Sequence, residues 1–367
     1  MRVLVANAGS SSLKLSLLGD DDQTLGSCEL AAPDDGIDAE ELRAALDDGL
    51  GEADVVGHRI VHGGERFRSA VRIDAGVKAA LQALGYLAPL HQAKSLAALD
   101  AVSAALADVP AVACFDTAFH ATLPAAASTY ALPAAWREQR GIRRYGFHGL
   151  SHGWVARRAP DLLGRGGERG LRLVSCHLGA GASACAIADG RSIDTTMGFT
   201  PLEGLVMATR SGDVDPGLLL WLLQHGGLSQ DELAHTLEHE SGLLGLAGTA
   251  DMREVLTRAD AGDPPARLAL DVYLHRLAGA IASMVASLGG IDALIFTGGV
   301  GERSAEVREL TVARLRFLGL SLDGERNRGA VGDADVSQDG AAARTLVVLA
   351  REDIEIARQT RQLLADG

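Results

Sequence analysis

Lysine is nearly absent: of the 34 basic residues only Lys14, Lys78 and Lys94 are lysines, so arginine is the default cation. Runs of like charge are absent too. Acidic and basic residues are mixed along a chain of net charge -14, which leaves no basic stripe to track a nucleic-acid backbone and argues against nucleic acid as a partner. Cysteine is sparse, and Cys28, Cys114, Cys176 and Cys185 show no C-x-x-C spacing. That excludes a disulfide framework or a zinc ribbon and fits a reducing cytosol. The uninterrupted apolar run of about 18 residues that a membrane span requires is missing. The opening MRVLVANAGSSSLK is too short in apolar residues for a signal peptide. The expectation is a soluble, cytoplasmic protein with no membrane partner.

What is present is ample apolar material: 367 residues, 47% of them hydrophobic, are enough for two domain cores. Residues 2–6 read as a buried strand, NAGSSS as a turn and LKLSLL as an alternating second strand, so the chain opens on a hairpin with a Gly/Ser tip. No helix follows and the G-x-x-x-x-G-K-[ST] pattern is not met, which excludes a P-loop. The runs 54–65, 109–119, 172–190 and 291–302 each place an apolar strand directly before polar or Gly-rich residues. Helical patterns such as AGVKAALQALGYLA, DPGLLLWLLQHGG and RLALDVYLHRLAGAIASMVASLGG lie between them. This alternation predicts an α/β class with ligands beyond the strand ends. RLVSCHLGAGASACAIADG repeats the strand, small-residue turn and strand of the opening hairpin, which suggests duplicated halves.

Several residues stand where chemistry is expected, each with a bland alternative. Asn7, Ser10, Ser12 and Lys14 sit at the hairpin tip, where hydroxyls, amides and an ammonium can converge on an anion; the alternative is a polar turn. Arg59 and Arg210 lie among apolar or Gly-rich residues at element ends and suit planar oxyanions; the alternative is a paired surface arginine. Asp116, after AVACF, reads as an electrostatic partner that positions an arginine, or as a helix cap. His148, in Phe-His-Gly, has glycine beside it to admit a ligand, or is core furniture. Glu352 suits a metal, or is an N-terminal helix acid with Asp353 as its rival.

Taken in order, VANAGSSSLK, GHRIVHGGE, APLH, FDTAFH, YGFHGLSH, HLGAGAS, DTTMGFTPLEGLVMATRSGDVDP, SGLLGLAGTADMR, FTGGVGE and REDIEIAR resemble the signatures of the acetate kinase family over nearly the whole chain. The resemblance implies two duplicated ribonuclease-H-like domains of the acetate and sugar kinase/Hsp70/actin superfamily with an interdomain cleft. The first comprises 1–122 with a C-terminal helix 355–367; the second comprises 123–354 and carries the nucleotide site and a dimer interface. It implies reversible transfer of a phosphoryl group between ATP and acetate, giving acetyl phosphate and ADP, with Mg²⁺ or Mn²⁺. Propionate or butyrate as substrate, a sugar-kinase-like activity and a non-catalytic nucleotide sensor are the alternatives.

By the same resemblance, Asp116, His148 and Arg210 are catalytic, Arg59, Val61, Leu90, Phe147 and Pro201 bind the carboxylate, and Asn7 and Glu352 hold the metal. Ser10, Ser12, Lys14, the run His177, Leu178, Gly179, Ala180, Gly181, the run Asp251, Met252, Arg253, and the run Gly299, Val300, Gly301, Glu302, Arg303 meet the nucleotide. A homodimer is expected. The sequence departs from the family pattern where Ala180 and Arg303 each replace a usual asparagine, and where APLHQAKSL replaces APLHNPANL.

Overall fold

A computed structural model describes residues 1–9, 12–31, 39–46, 50–87 and 89–365, with the side chains of 89–91 outside the description. The chain divides into two compact units: Met1–Ala121, Phe147–Trp154 and Arg351–Gly367 form the first, and Thr122–Gly146 with Val155–Ala350 the second.

The first unit is built on the strands β1 Val3–Ala8, β2 Ser12–Leu18, β3 Thr24–Ala31, β4 Val55–Ile60, β5 Val71–Arg72 and β6 Ala111–Phe115, in spatial order β3-β2-β1-β4-β6-β5. β1 and β2 form the expected antiparallel hairpin, while β1, β4 and β6 run parallel side by side. Continuous apolar sequence marks these central strands because both their faces are covered. On one face Leu4, Ala6, Leu15 and Val56 meet Leu42, Ala98 and Val102. On the other Val3, Val5, Val55 and Val112 meet Ile354, Ile356 and Ala357 of the helix Glu352–Ala365. That last helix lies very close to the sheet: a Cβ at Gly57 of β4 would come within 2.7 Å of the Ile356 and Thr360 side chains. Glycine at 57 thus fixes the depth of the helix that begins with Glu352.

The second unit repeats the plan with β7 Arg172–Leu178, β8 Ala182–Ala188, β9 Arg191–Thr195, β10 Ala293–Thr297, β11 Ala334–Asp335 and β12 Arg344–Val347, in order β11-β12-β10-β7-β8-β9. Read from its other edge this is the order of the first sheet, with the same parallel and antiparallel pairings. The duplication suggested by the two hairpins is therefore a property of whole domains. The helix Pro264–Leu288 packs on β8; among the described residues it alone is long and apolar enough to cross a bilayer. Its buried Ala269, Tyr273, Leu277 and Ile281 face the core, while Asp271 and Arg276 are exposed.

His58 of β4 is 2% exposed, its Nε2 has no hydrogen-bond partner, and burial pushes its imidazole from 6.5 down to about 4. The unfolded chain takes up this proton near the ordinary value and the folded one resists it. Stability is thus whole above the unfolded value and falls as the pH drops toward 4. The expected loss from this group is about 3 kcal/mol at most. Urea unfolding at pH 7 and pH 4.5 should show a smaller pH difference for His58→Leu than for the unaltered chain.

Candidate active site

Asn7, Arg59 and Asp116 stand at or just beyond the carboxyl ends of β1, β4 and β6, three adjacent parallel strands, which is where open α/β sheets place ligands. Their side chains form one chain of contacts. Arg59 Nη2 donates to Asp116 Oδ2 at 2.7 Å and Nε donates to Oδ2 at 3.1 Å, while Nη1 donates to Asn7 Oδ1 at 3.2 Å. Asn7 Nδ2 in turn donates to Glu352 Oε2 at 2.9 Å. Burial works against the Arg59 charge, but the Asp116 and Glu352 carboxylates outweigh it and raise its pKa. Burial pushes the Asp116 carboxyl up, against the pull of the Arg59 guanidinium. Glu352 rather than Asp353 faces this network, because Asp353 is taken by Arg351, whose Nη2 lies 2.8 Å from Oδ2.

His148 follows Phe147 in the first unit and holds φ at +56°, a region L residues with a side chain rarely adopt. Such strain persists where the surroundings impose it, and it clusters at functional positions. The next residue, Gly149, donates its N–H to the Asp116 carbonyl at 2.9 Å, which ties His148 to the end of β6. The rings of buried His120 and His152 lie 5.8 Å apart, and the His148 ring lies 6.5 Å from that of His152. Val61 and Phe147 are buried, and the Phe147 ring meets the His62 ring edge-on at 5.4 Å. Ser10 and the Leu90 side chain lie outside the described residues. Lys14 is exposed and sits opposite Asn7 in the β1–β2 register, whereas the Ser12 hydroxyl donates to Glu29 Oε1 at 2.6 Å.

The second unit holds a cavity of about 1010 Å³. Gly179, Ala180, Asp251, Met252, Arg253, Gly299, Val300 and Arg303 line it, so three separated motifs meet in one place. His177, Leu178, Gly181, Gly301 and Glu302 do not; Glu302 Oε1 instead accepts the Gly298 and Ala350 N–H groups at 2.9 and 2.7 Å. Asp251 caps the helix Met252–Asp260 and pairs with Arg253, which holds its carboxyl down at about 2. The residues that complete the wall, among them Ala208, Leu256, Tyr273 and Ser304, were not singled out from the sequence. Ser304 follows the GVGER motif directly and caps the next helix; Leu256 and Tyr273 come from helix faces that only tertiary packing brings there.

Arg210 belongs to a loop stitched to the same turn. Ala208 N–H donates to the Ala180 carbonyl at 3.1 Å, and Leu243 N–H donates to the Met207 carbonyl at 2.9 Å. Arg210 Nη1 donates to the Pro201 carbonyl at 3.2 Å, and burial lowers its pKa against the pull of Glu238.

Residues 31–358 match the acetokinase family model. The chain belongs to the acetokinase family. It is similar to the acetate kinase of Nostoc punctiforme, 51% identical over 86% of this chain and 78% of the relative, and to that of Deinococcus deserti, 46% identical over 100% and 98%. Among solved structures it is similar to the acetate kinase of Porphyromonas gingivalis, with TM-score 0.88, 35% identity and 99% of each chain covered. It is also similar to a propionate kinase of Francisella tularensis, with TM-score 0.90, 34% identity and 99% of each chain covered. Membership makes the chain a phosphotransferase of the kinase class that uses ATP and a divalent metal ion.

Proposed function

We propose that this kinase catalyses the reversible, Mg²⁺-dependent transfer of the γ-phosphoryl group of ATP to acetate, giving acetyl phosphate and ADP. The observation that carries the reading is the unbroken contact chain Asp116, Arg59, Asn7, Glu352, which joins three parallel strand ends to the first residue of the last helix. It offers a fixed cation for a carboxylate or phosphoryl oxygen beside oxygen donors for a hard metal ion. A carboxylate oxygen forms the new bond to phosphorus, the bond from phosphorus to the β,γ-bridging oxygen breaks, and that electron pair remains on ADP. The attacking carboxylate is already ionised at neutral pH, so no base is needed. Asp116 is therefore assigned to positioning Arg59, and Arg59, Arg210 and His148 are assigned to the charge on the transferring group. Lys14 and the lining of the second-unit cavity are assigned to the nucleotide.

No group of three His, Cys, Asp or Glu side chains that could hold a metal occurs among the described residues. Glu352 with Asn7 fits an ion such as Mg²⁺, which takes one or two protein oxygens and completes its shell with phosphate and water. When bound, the ion would offset charge on the β- and γ-phosphate oxygens. A cytosolic homodimer completes the proposal; the exposed Leu218, Leu220 and Trp221 of the helix Pro216–His225 are in keeping with self-association.

Propionate is the second reading, favoured by the similarity to the Francisella tularensis propionate kinase. Trapping the acyl phosphate as hydroxamate, with acetate, propionate and butyrate at equal concentration, tests both. A hydroxamate signal largest with acetate supports the first, and phosphorylation of a hydroxyl compound with no hydroxamate from any acid overturns both. Val61, assigned to the alkyl group, gives a further expectation. Val61→Ala should raise the propionate-to-acetate ratio of kcat/KM about tenfold, the scale of one methylene in an apolar pocket. An unchanged ratio would take Val61 out of the acyl pocket.

A further inference from the structure

The loop 196–204 lies within the motif DTTMGFTPLEGLVMATRSGDVDP and is held by a polar cluster completed by two residues outside every motif, Tyr130 and Arg144. The Tyr130 hydroxyl donates to Glu203 Oε2 and accepts the Phe199 N–H at 2.9 Å. Glu203 Oε1 accepts from Arg144 Nη2 at 2.5 Å, and Arg144 Nη1 donates to the Thr196 and Met197 carbonyls at 2.9 and 3.1 Å. The Arg144 guanidinium also lies over the Tyr130 ring, 5.5 Å from its centroid. A Cβ at residue 198 would fall 1.5 Å from Glu203 Oε2 and 2.2 Å from the Tyr130 hydroxyl oxygen. Gly198 is thus the residue whose missing side chain makes room for the pair. Between the fastened positions 199 and 203 lies Pro201, whose carbonyl accepts from Arg210 Nη1.

We propose that Tyr130 is a positioning residue for catalysis: its hydroxyl fixes the loop that carries the Pro201 carbonyl and so orients the Arg210 guanidinium. The inference rests on the assignment of Arg210 to the transferring phosphoryl group. Glu203 is the hinge of the arrangement, because its two oxygens join Tyr130 to Arg144 and it stands two residues from Pro201. Removing the hydroxyl leaves the Phe199 N–H and one Glu203 oxygen unpaired while the ring, its packing and its contact with Arg144 stay. The loop then loses its fastening at 199, and the Pro201 carbonyl no longer holds one side of Arg210.

Tyr130→Phe tests this. Expected are a fall in kcat of about tenfold, an unchanged KM for ATP, and a change in kcat of under about twofold when Tyr130→Phe is added to Arg210→Ala. A purely structural role predicts instead the same proportional loss in both backgrounds, and that result, or an unchanged kcat, overturns the proposal. If Arg210→Ala alone keeps near-normal kcat, the assignment of Arg210 fails, which is a separate outcome from the failure of Tyr130. Should Tyr130→Phe not fold, Glu203→Gln takes its place with the same expected non-additivity, since the amide keeps the shape but loses the charged bond to Arg144.

Discussion

Arg210→Ala is expected to lower kcat at least about 100-fold while the KM for ATP stays within about twofold, the signature of an interaction made chiefly in the transition state. The loop geometry supports an effect of this size. Arg210 is held through backbone bonds to the Ala180 turn and the 241–244 segment and through its own bond to Pro201, so it pays little reorganisation when charge develops. Burial already disfavours its charge, and an incoming phosphoryl oxygen would relieve that cost. Arg210→Lys should restore only part of the rate, because an ammonium cannot reproduce the planar two-point contact. Steady-state kinetics with ATP and acetate varied separately would show it, and a kcat within threefold of normal would remove Arg210 from the chemistry.

Asp116→Ala should have the largest effect on stability. Asp116 is 1% exposed and accepts from two nitrogens of the Arg59 guanidinium, so its removal leaves a largely buried cation without its nearest counter-charge. Breaking one side of such a pair costs about 3 to 5 kcal/mol. The lower end is expected here, because Glu352 still opposes the Arg59 charge. Asp116→Asn keeps the shape and should unfold at higher urea than Asp116→Ala, yet lose most of its activity as Arg59 swings free. Equal urea midpoints for Asp116→Ala and the unaltered chain would mean that the pair contributes nothing to the fold.

The sequence made the framework legible because its signals are local. Apolar runs ending in Gly, Ser or charged residues marked β1, β4, β6, β7 and β10, and these strand ends carry the contact chain of the first unit and two motifs of the second-unit cavity. Elements with too few residues for a period stayed hidden, as with β5 and β11, two residues each. The helical pattern 75–88 is broken after Ala83, where Leu84 caps the helix and a short 3-10 turn, Gly85–Leu87, follows. Choosing Glu352 over Asp353 required the phase of the last helix, which the sheet contact at Gly57 sets. The Tyr130, Arg144 and Glu203 cluster joins residues 59 and 73 positions apart, and no spacing rule reaches that far.

The central claim is that a carboxylate oxygen attacks the γ-phosphorus directly, and isotope labelling follows that oxygen. The reaction is run with acetate labelled with ¹⁸O at both carboxylate oxygens, ATP and Mg²⁺, and hydroxylamine then cleaves the acyl phosphate at its carbonyl carbon. The bridging oxygen leaves with phosphorus, so each phosphate released should carry one ¹⁸O atom, with ADP as the other product. Unlabelled phosphate, or label recovered in AMP, would contradict direct transfer.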